Sequence, residues 1–160
     1  MLTPYLVSAV FVVLVVVLCI AKPNAGRIFL GLFFLAMGLG VNGAVVLTGP
    51  QSYVNYLGDS LIPLYRDLTM RTVALNPLLY SLLLVTFETA MGILILGKHK
   101  TVKIGLFGTS IFIVALAPVN TVQFVWLGLV VGQAYLLTKE FDVTLLDMLR
   151  SKWRGWITSR

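Results

Sequence analysis

The sequence predicts an all-α integral membrane protein with five transmembrane helices, accompanied by interfacial amphipathic helices. Three observations predict it. The chain is 59% hydrophobic and only 11% charged over 160 residues, too little polar surface to cover a water-soluble globule of this size. Five apolar runs recur along the chain, four of them of about 17 to 20 residues, the length that crosses hydrocarbon as a helix, and the fourth in order shorter than a typical span. Ten of the twelve basic residues fall in the segments that follow the first, third and fifth runs. The whole chain, 1–160, reads as a single membrane domain.

The first span covers Leu2 to Ala21 and stops at Lys22, Pro23 and Asn24, where a charge and a helix breaker coincide. The second covers Ile28 to Leu47 and ends at Thr48, Gly49 and Pro50. Pro77, suited to the first turn of a helix, opens the third, which runs to Leu96 and closes on Gly97-Lys98-His99-Lys100. Ile104 to Ala117 and Val122 to Thr138 form the fourth and fifth, joined at 118–121 as an antiparallel helical hairpin.

Lys and Arg bias towards the cytoplasm orients such a bundle. Lys22 and Arg27, then Lys98, Lys100 and Lys103, then Lys139, Arg150, Lys152, Arg154 and Arg160 share one side if there are five spans. The expectation is a cell-membrane, multi-pass protein with its N-terminus outside and its C-terminus cytoplasmic. Gln51 to Thr72 is too polar to cross. Its Tyr53, Tyr56, Leu57, Leu61, Leu64, Tyr65 and Leu68 recur at helical spacing, as an interfacial helix kinked or divided at Pro63 requires. Residues 139–160 form a basic tail in which Leu145, Leu149, Trp153 and Trp156 line one face, with Asp147, Arg150, Lys152 and Arg154 elsewhere. That face is expected to rest on anionic lipid or on a partner subunit.

The net charge of +6 sits in short segments flanking apolar runs, which is orientation and headgroup contact rather than a nucleic-acid surface. Cys19, the one cysteine, excludes an intrachain disulfide or CxxC pair. The first run lacks a basic start and a small-residue cleavage pattern, so it reads as retained. His99, the sole histidine, lies in a lysine-rich turn, and no metal or covalently bound cofactor is expected. No nucleotide loop, Ser-His-Asp set or paired catalytic carboxylates occur, which argues against independent catalytic activity.

Glu88 carries the most information, because an ionised carboxylate near the centre of a span costs about 2.5 kcal/mol or more. It is expected to face the bundle interior, either as a proton- or ligand-binding group or as a hydrogen-bonding lock between helices. Helix rise places Glu88 about 15 Å from the Lys98 end and Asn42 about 22 Å from Arg27. Thr109 and Gln133 fall nearer the basic side. These four are candidates for one polar path whose members spread over two or three turns. Arg27 is expected to mark the helix boundary or bind a headgroup. Gly38, Gly40 and Gly43, Gly105 with Gly108, and Gly128 with Gly132 permit close helix approach. The last pair, a GxxxG spacing, serves internal packing or a homodimer through helix five.

The runs Arg27 to Gly38 (RIFLGLFFLAMG) and Glu88 to Gly97 (ETAMGILILG), with the apolar hairpin after them, resemble the DoxX-like membrane proteins. The resemblance covers 27–138 and leaves 1–21 as an added N-terminal helix. It implies a four-helix bundle serving as a subunit or accessory of quinone- or thiol-linked redox assemblies, with Arg27 and Glu88 as the polar positions carried over. A quinone or lipid is the expected occupant, and other membrane subunits the expected partners. The chain lacks the cysteine pair or cofactor ligands of an autonomous redox protein. The alternative function is a small proton-coupled transporter using Glu88.

Overall fold

The computed structural model describes the backbone of residues 2–158 and the side chains of residues 2–151. Among these residues it is all-helical. We number the helices α1 (Thr3–Ala21), α2 (Pro23–Thr48), α3 (Gln51–Gly58), α4 (Pro63–Arg71), α5 (Pro77–Leu96), α6 (Lys100–Val119), α7 (Thr121–Leu137) and α8 (Leu145–Thr158). Helices α1, α2, α5 and α6 are long and apolar enough to cross a membrane, and the chain is a multi-pass membrane protein; α7 is a shorter apolar helix of 17 residues.

Local chemistry sets the starts. Pro23, Pro63 and Pro77 occupy first-turn positions, where the missing N–H costs nothing. The side chains of Asn76 and Asn120 accept from the backbone N–H groups of Leu79 and Gln123 at 3.1 and 3.0 Å, capping α5 and α7. Before α8, Thr144 and Asp147 cap each other reciprocally.

The five apolar helices close into a ring in which α1 packs on α2, α2 on α5, α5 on α6, α6 on α7, and α7 back on α1. The N-terminal helix is thus part of the core, contributing Val12, Val15 and Cys19 to the buried cluster with Leu30, Leu106 and Leu129. Gly128 and Gly132 face α1: a Cβ there would stand 2.5 Å from Val12 and 3.3 Å from Cys19. The glycine face of α7 is therefore filled within the chain. Gly31 and Gly92 bring α2 and α5 together in the same way, each meeting the other's carbonyl oxygen.

Several boundaries move. Helix α6 starts at Lys100 rather than Ile104, because lysines extend a helix readily while their ammonium groups reach water. Helix α2 begins at Pro23, a full turn before Ile28, and widens into a π-type segment at Ala36–Asn42. The interfacial segment is two helices, divided before Pro63. On α3 the half-buried Tyr53 and Leu57 face inward beside Val54, as the spacing predicts. By contrast, Leu61 before α4 and Leu64 and Leu68 on it stay exposed, and Thr69 is the buried residue of α4. This pair is tied to the α6–α7 corner: the Leu61 N–H donates to Pro118 O at 3.2 Å and the Tyr65 hydroxyl to Ala115 O at 2.9 Å.

Candidate functional site

A cavity of about 550 Å³ opens inside the ring beneath α3, within the size range of small-molecule sites. Its walls are Met37, Val45, Leu57, Leu84, Phe112 and Leu116, with Tyr53, Tyr56 and Tyr80 among them. Glu88, Met37, Phe112, Leu116 and Gln123 also line an adjoining space of about 110 Å³, which runs on to Phe33, Phe34 and Trp126. Glu88 is buried and stands where the two spaces meet.

A short hydrogen-bond chain fixes the polar side. The Asn42 amide donates from Nδ2 to Glu88 Oε2 at 2.5 Å, and its carbonyl Oδ1 accepts from the Tyr53 hydroxyl at 2.7 Å. Each atom thereby uses the role its chemistry allows. Burial pushes the Tyr53 phenol up to about 12, so it remains a neutral donor. Glu88 Oε1 takes no hydrogen bond from the described residues, which leaves it as the polar atom free to meet an occupant. At the α3 end, the Tyr56 hydroxyl accepts from Asn120 Nδ2 and Gln123 Nε2 at 2.8 and 2.7 Å. No three His, Cys, Asp or Glu side chains converge among the described residues.

The four expected path residues form two separate groups. Asn42 and Glu88 meet directly, although their axial depths differ by about 7 Å on helix rise alone. The hydrogen bond between the two side chains bridges that offset, and Gly38 lets α2 approach so closely that a Cβ there would lie 3.1 Å from Glu88 Cβ. Thr109 and Gln133 pair elsewhere, between α6 and α7. Gln133 Oε1 accepts from Ser110 at 2.5 Å and from Thr109 at 3.1 Å, while Gln133 Nε2 is buried without a partner among the described residues.

Arg27 neither marks a helix end nor reaches a headgroup. It is fully buried, donates to Gly97 O at 2.7 Å and Val143 O at 3.0 Å, and stacks 4.7 Å over the Phe141 ring. The cause is twofold: α2 starts early, which draws Arg27 inside, and residues 139–144 fold back beneath the bundle. Its guanidinium satisfies the Gly97 carbonyl at the C-terminal cap of α5, where the helix dipole favours a cation, and the Val143 carbonyl of the returning segment. Glu88 and Arg27 therefore lie in different sites.

No family model, curated protein or solved structure matches this chain. The site must be read from its own chemistry. Sequence reasoning missed Tyr53 as the third member of the Glu88 chain, Ser110 as the partner of Gln133, and Phe141 and Val143 as the seat of Arg27. For Tyr53 a signal existed, since it lies 11 residues after Asn42 across one break at Gly49 and Pro50. The side chains of Lys152, Trp153, Arg154 and Trp156 lie outside the described residues; the backbone of α8 runs through them, and Arg150 is exposed.

Proposed function

We propose that the chain is a membrane-embedded accessory subunit of the DoxX-like type, crossing the bilayer five times, which holds a quinone or a similar amphipathic molecule against Glu88. The cavity carries this reading: an apolar, aromatic chamber with one free carboxyl oxygen fits a flat apolar ring bearing a carbonyl acceptor. Glu88 is protonated at this depth, because ionisation there would go uncompensated by any cation among the described residues. Its Oε1 then donates to the ligand carbonyl, while Asn42 donates to Oε2 and is itself fixed by the Tyr53 hydroxyl, which sets the carboxyl plane. The Phe112, Met37 and Leu116 walls exclude water from that bond, which strengthens it. The electrons that reduce or oxidise a bound quinone would come from or go to a cofactor-bearing partner, while Glu88 holds the proton at the quinone carbonyl.

Proton-coupled transport is less well supported. The cavity residues reach Glu88 from the α3 end, whereas towards the basic end α2 and α5 are in backbone contact at Gly31 and Gly92. The basic end, with Lys22, Lys98, Lys100, Lys103 and Lys139, is the cytoplasmic one on the positive-inside rule, which places the N-terminus outside.

Trp126 in the adjoining space provides a probe. In nanodiscs, with Trp153 and Trp156 replaced by Phe, decylubiquinone should quench Trp126 saturably. Glu88→Leu should weaken binding at least tenfold, the rough value of a buried hydrogen bond, and Glu88→Gln less, because its amide can still donate. Unsaturable quenching, identical in all three proteins, would reject the site.

A further inference from the structure

At the basic end a second, larger space of about 690 Å³ lies on the outside of the bundle, between the end of α1, the first turns of α2, and α8. Its composition changes with depth. Leu18, Ile28, Phe29 and Leu32 form the part that continues along the helices, and Phe29 and Leu32 are exposed, 37% and 48%, on the ring's outer surface. Lys22 and Asn24 stand at its end, both exposed, and Met148 of α8 closes it from below. Lys22 makes no ion pair among the described residues. The carboxylates nearest in sequence on this end are otherwise engaged: Glu140 with Lys103, Asp142 with His99, and Asp147 with Thr144.

We infer that this groove is a binding site for one membrane phospholipid with an anionic headgroup, its acyl chain along Phe29 and Leu32 and its phosphate at Lys22. The apolar wall continues the lipid-facing surface of α2, so an acyl chain enters sideways without crossing a polar barrier. The cation and the Asn24 amide lie one to two turns further along, at the depth of a headgroup. Charge complementarity selects the anionic class, since a basic residue near an anionic headgroup contributes about fivefold in binding. The lipid would also fill the space between the bundle and Met148, the α8 residue that lines the groove, and so seat α8. This site is remote from Glu88 and does not depend on what the cavity binds.

Native mass spectrometry of the full chain, delipidated in detergent, tests the assignment with dioleoyl phosphatidylglycerol and dioleoyl phosphatidylcholine as probes. One phosphatidylglycerol should be retained at least fivefold more strongly than phosphatidylcholine. Lys22→Gln should reduce that ratio to near one, while Lys100→Gln, on the same end but away from the groove, should leave it intact. Phe29→Ser should weaken both lipids, with helicity by circular dichroism confirming that the variant folds. Equal retention of the two lipids, or equal effects of Lys22→Gln and Lys100→Gln, would overturn the proposal. So would a dimer that forms without lipid and is lost in Phe29→Ser, which would assign the groove to a second copy.

Discussion

Replacing Arg27 by methionine keeps an unbranched side chain but leaves Gly97 O and Val143 O without their donors. Hydrogen bonds from a charged group contribute about 1.5–3 kcal/mol each, so unfolding in mixed micelles should show a loss of about 3 kcal/mol. Arg27→Lys can serve only one carbonyl well and should recover part of it. Unchanged stability in the methionine variant would show that the two bonds contribute nothing net. Glu88 and Asn42 were legible in the sequence, because polar residues in apolar runs stand out. Their direct pairing was not, since counting depth along helix axes ignores the reach of two side chains. Arg27 was misplaced for a related reason: hydropathy assigns a charge to the edge of a span, whereas the Gly97 carbonyl at a neighbouring helix end and the Val143 carbonyl of a returning segment hold it inside.

Glycine substitutions separate the helix contacts that matter from those that do not. A Cβ on Gly26 would stand 2.6 Å from the Cys19 backbone, whereas one on Gly40 meets nothing within 4 Å. Gly26→Ala should force α1 from α2 and destabilise by more than about 2 kcal/mol, the scale of core overpacking. Gly40→Ala should be neutral or stabilising by up to about 1 kcal/mol. Thermal unfolding of the two variants checks the pair, and equal effects would contradict the close approach. Proline punctuation made the break at Pro63 and the start at Pro77 readable, whereas Pro23 read as a stop before a span from Ile28 and proved to be the first residue of α2. The π-type segment at Ala36–Asn42 and the fold-back of 139–144 left no such mark. Neither has a hydrophobic period, and both are set by tertiary contacts with α5 and Arg27.

Over the whole molecule, the basic end is closed by a segment whose attachment is titratable. Lys103 donates to Glu140 at 2.6 Å and holds that carboxyl below its ordinary 4.5; backbone and side-chain bonds from Thr144 hold Asp147 below its ordinary 3.8. A depressed carboxylate stabilises the folded form fully above its ordinary value, and the contribution is lost as pH falls through the depressed one. Hydrogen exchange at the His99 amide, which donates to Phe141 O at 2.7 Å, should keep constant protection from neutral pH down to about 4.5 and lose it below. Loss of protection near neutral pH would mean that another group controls the closure. The apolar helices themselves were legible from pattern and charge, but the closure of α1 into their ring was not, since hydropathy marks a span without saying what it packs on. The division into a Glu88 cavity near α3 and an Arg27 anchor at the opposite end needed coordinates, because both residues lie on helices that face one core. The central claim is that Glu88 is a neutral donor waiting for a ligand carbonyl. Infrared difference spectroscopy of the protein in nanodiscs, before and after decylubiquinone, tests it most directly. A protonated-carboxyl band that shifts on binding and is missing in Glu88→Gln is the expected result; a carboxylate signal at Glu88, or a carboxyl band that ignores the ligand, would contradict it.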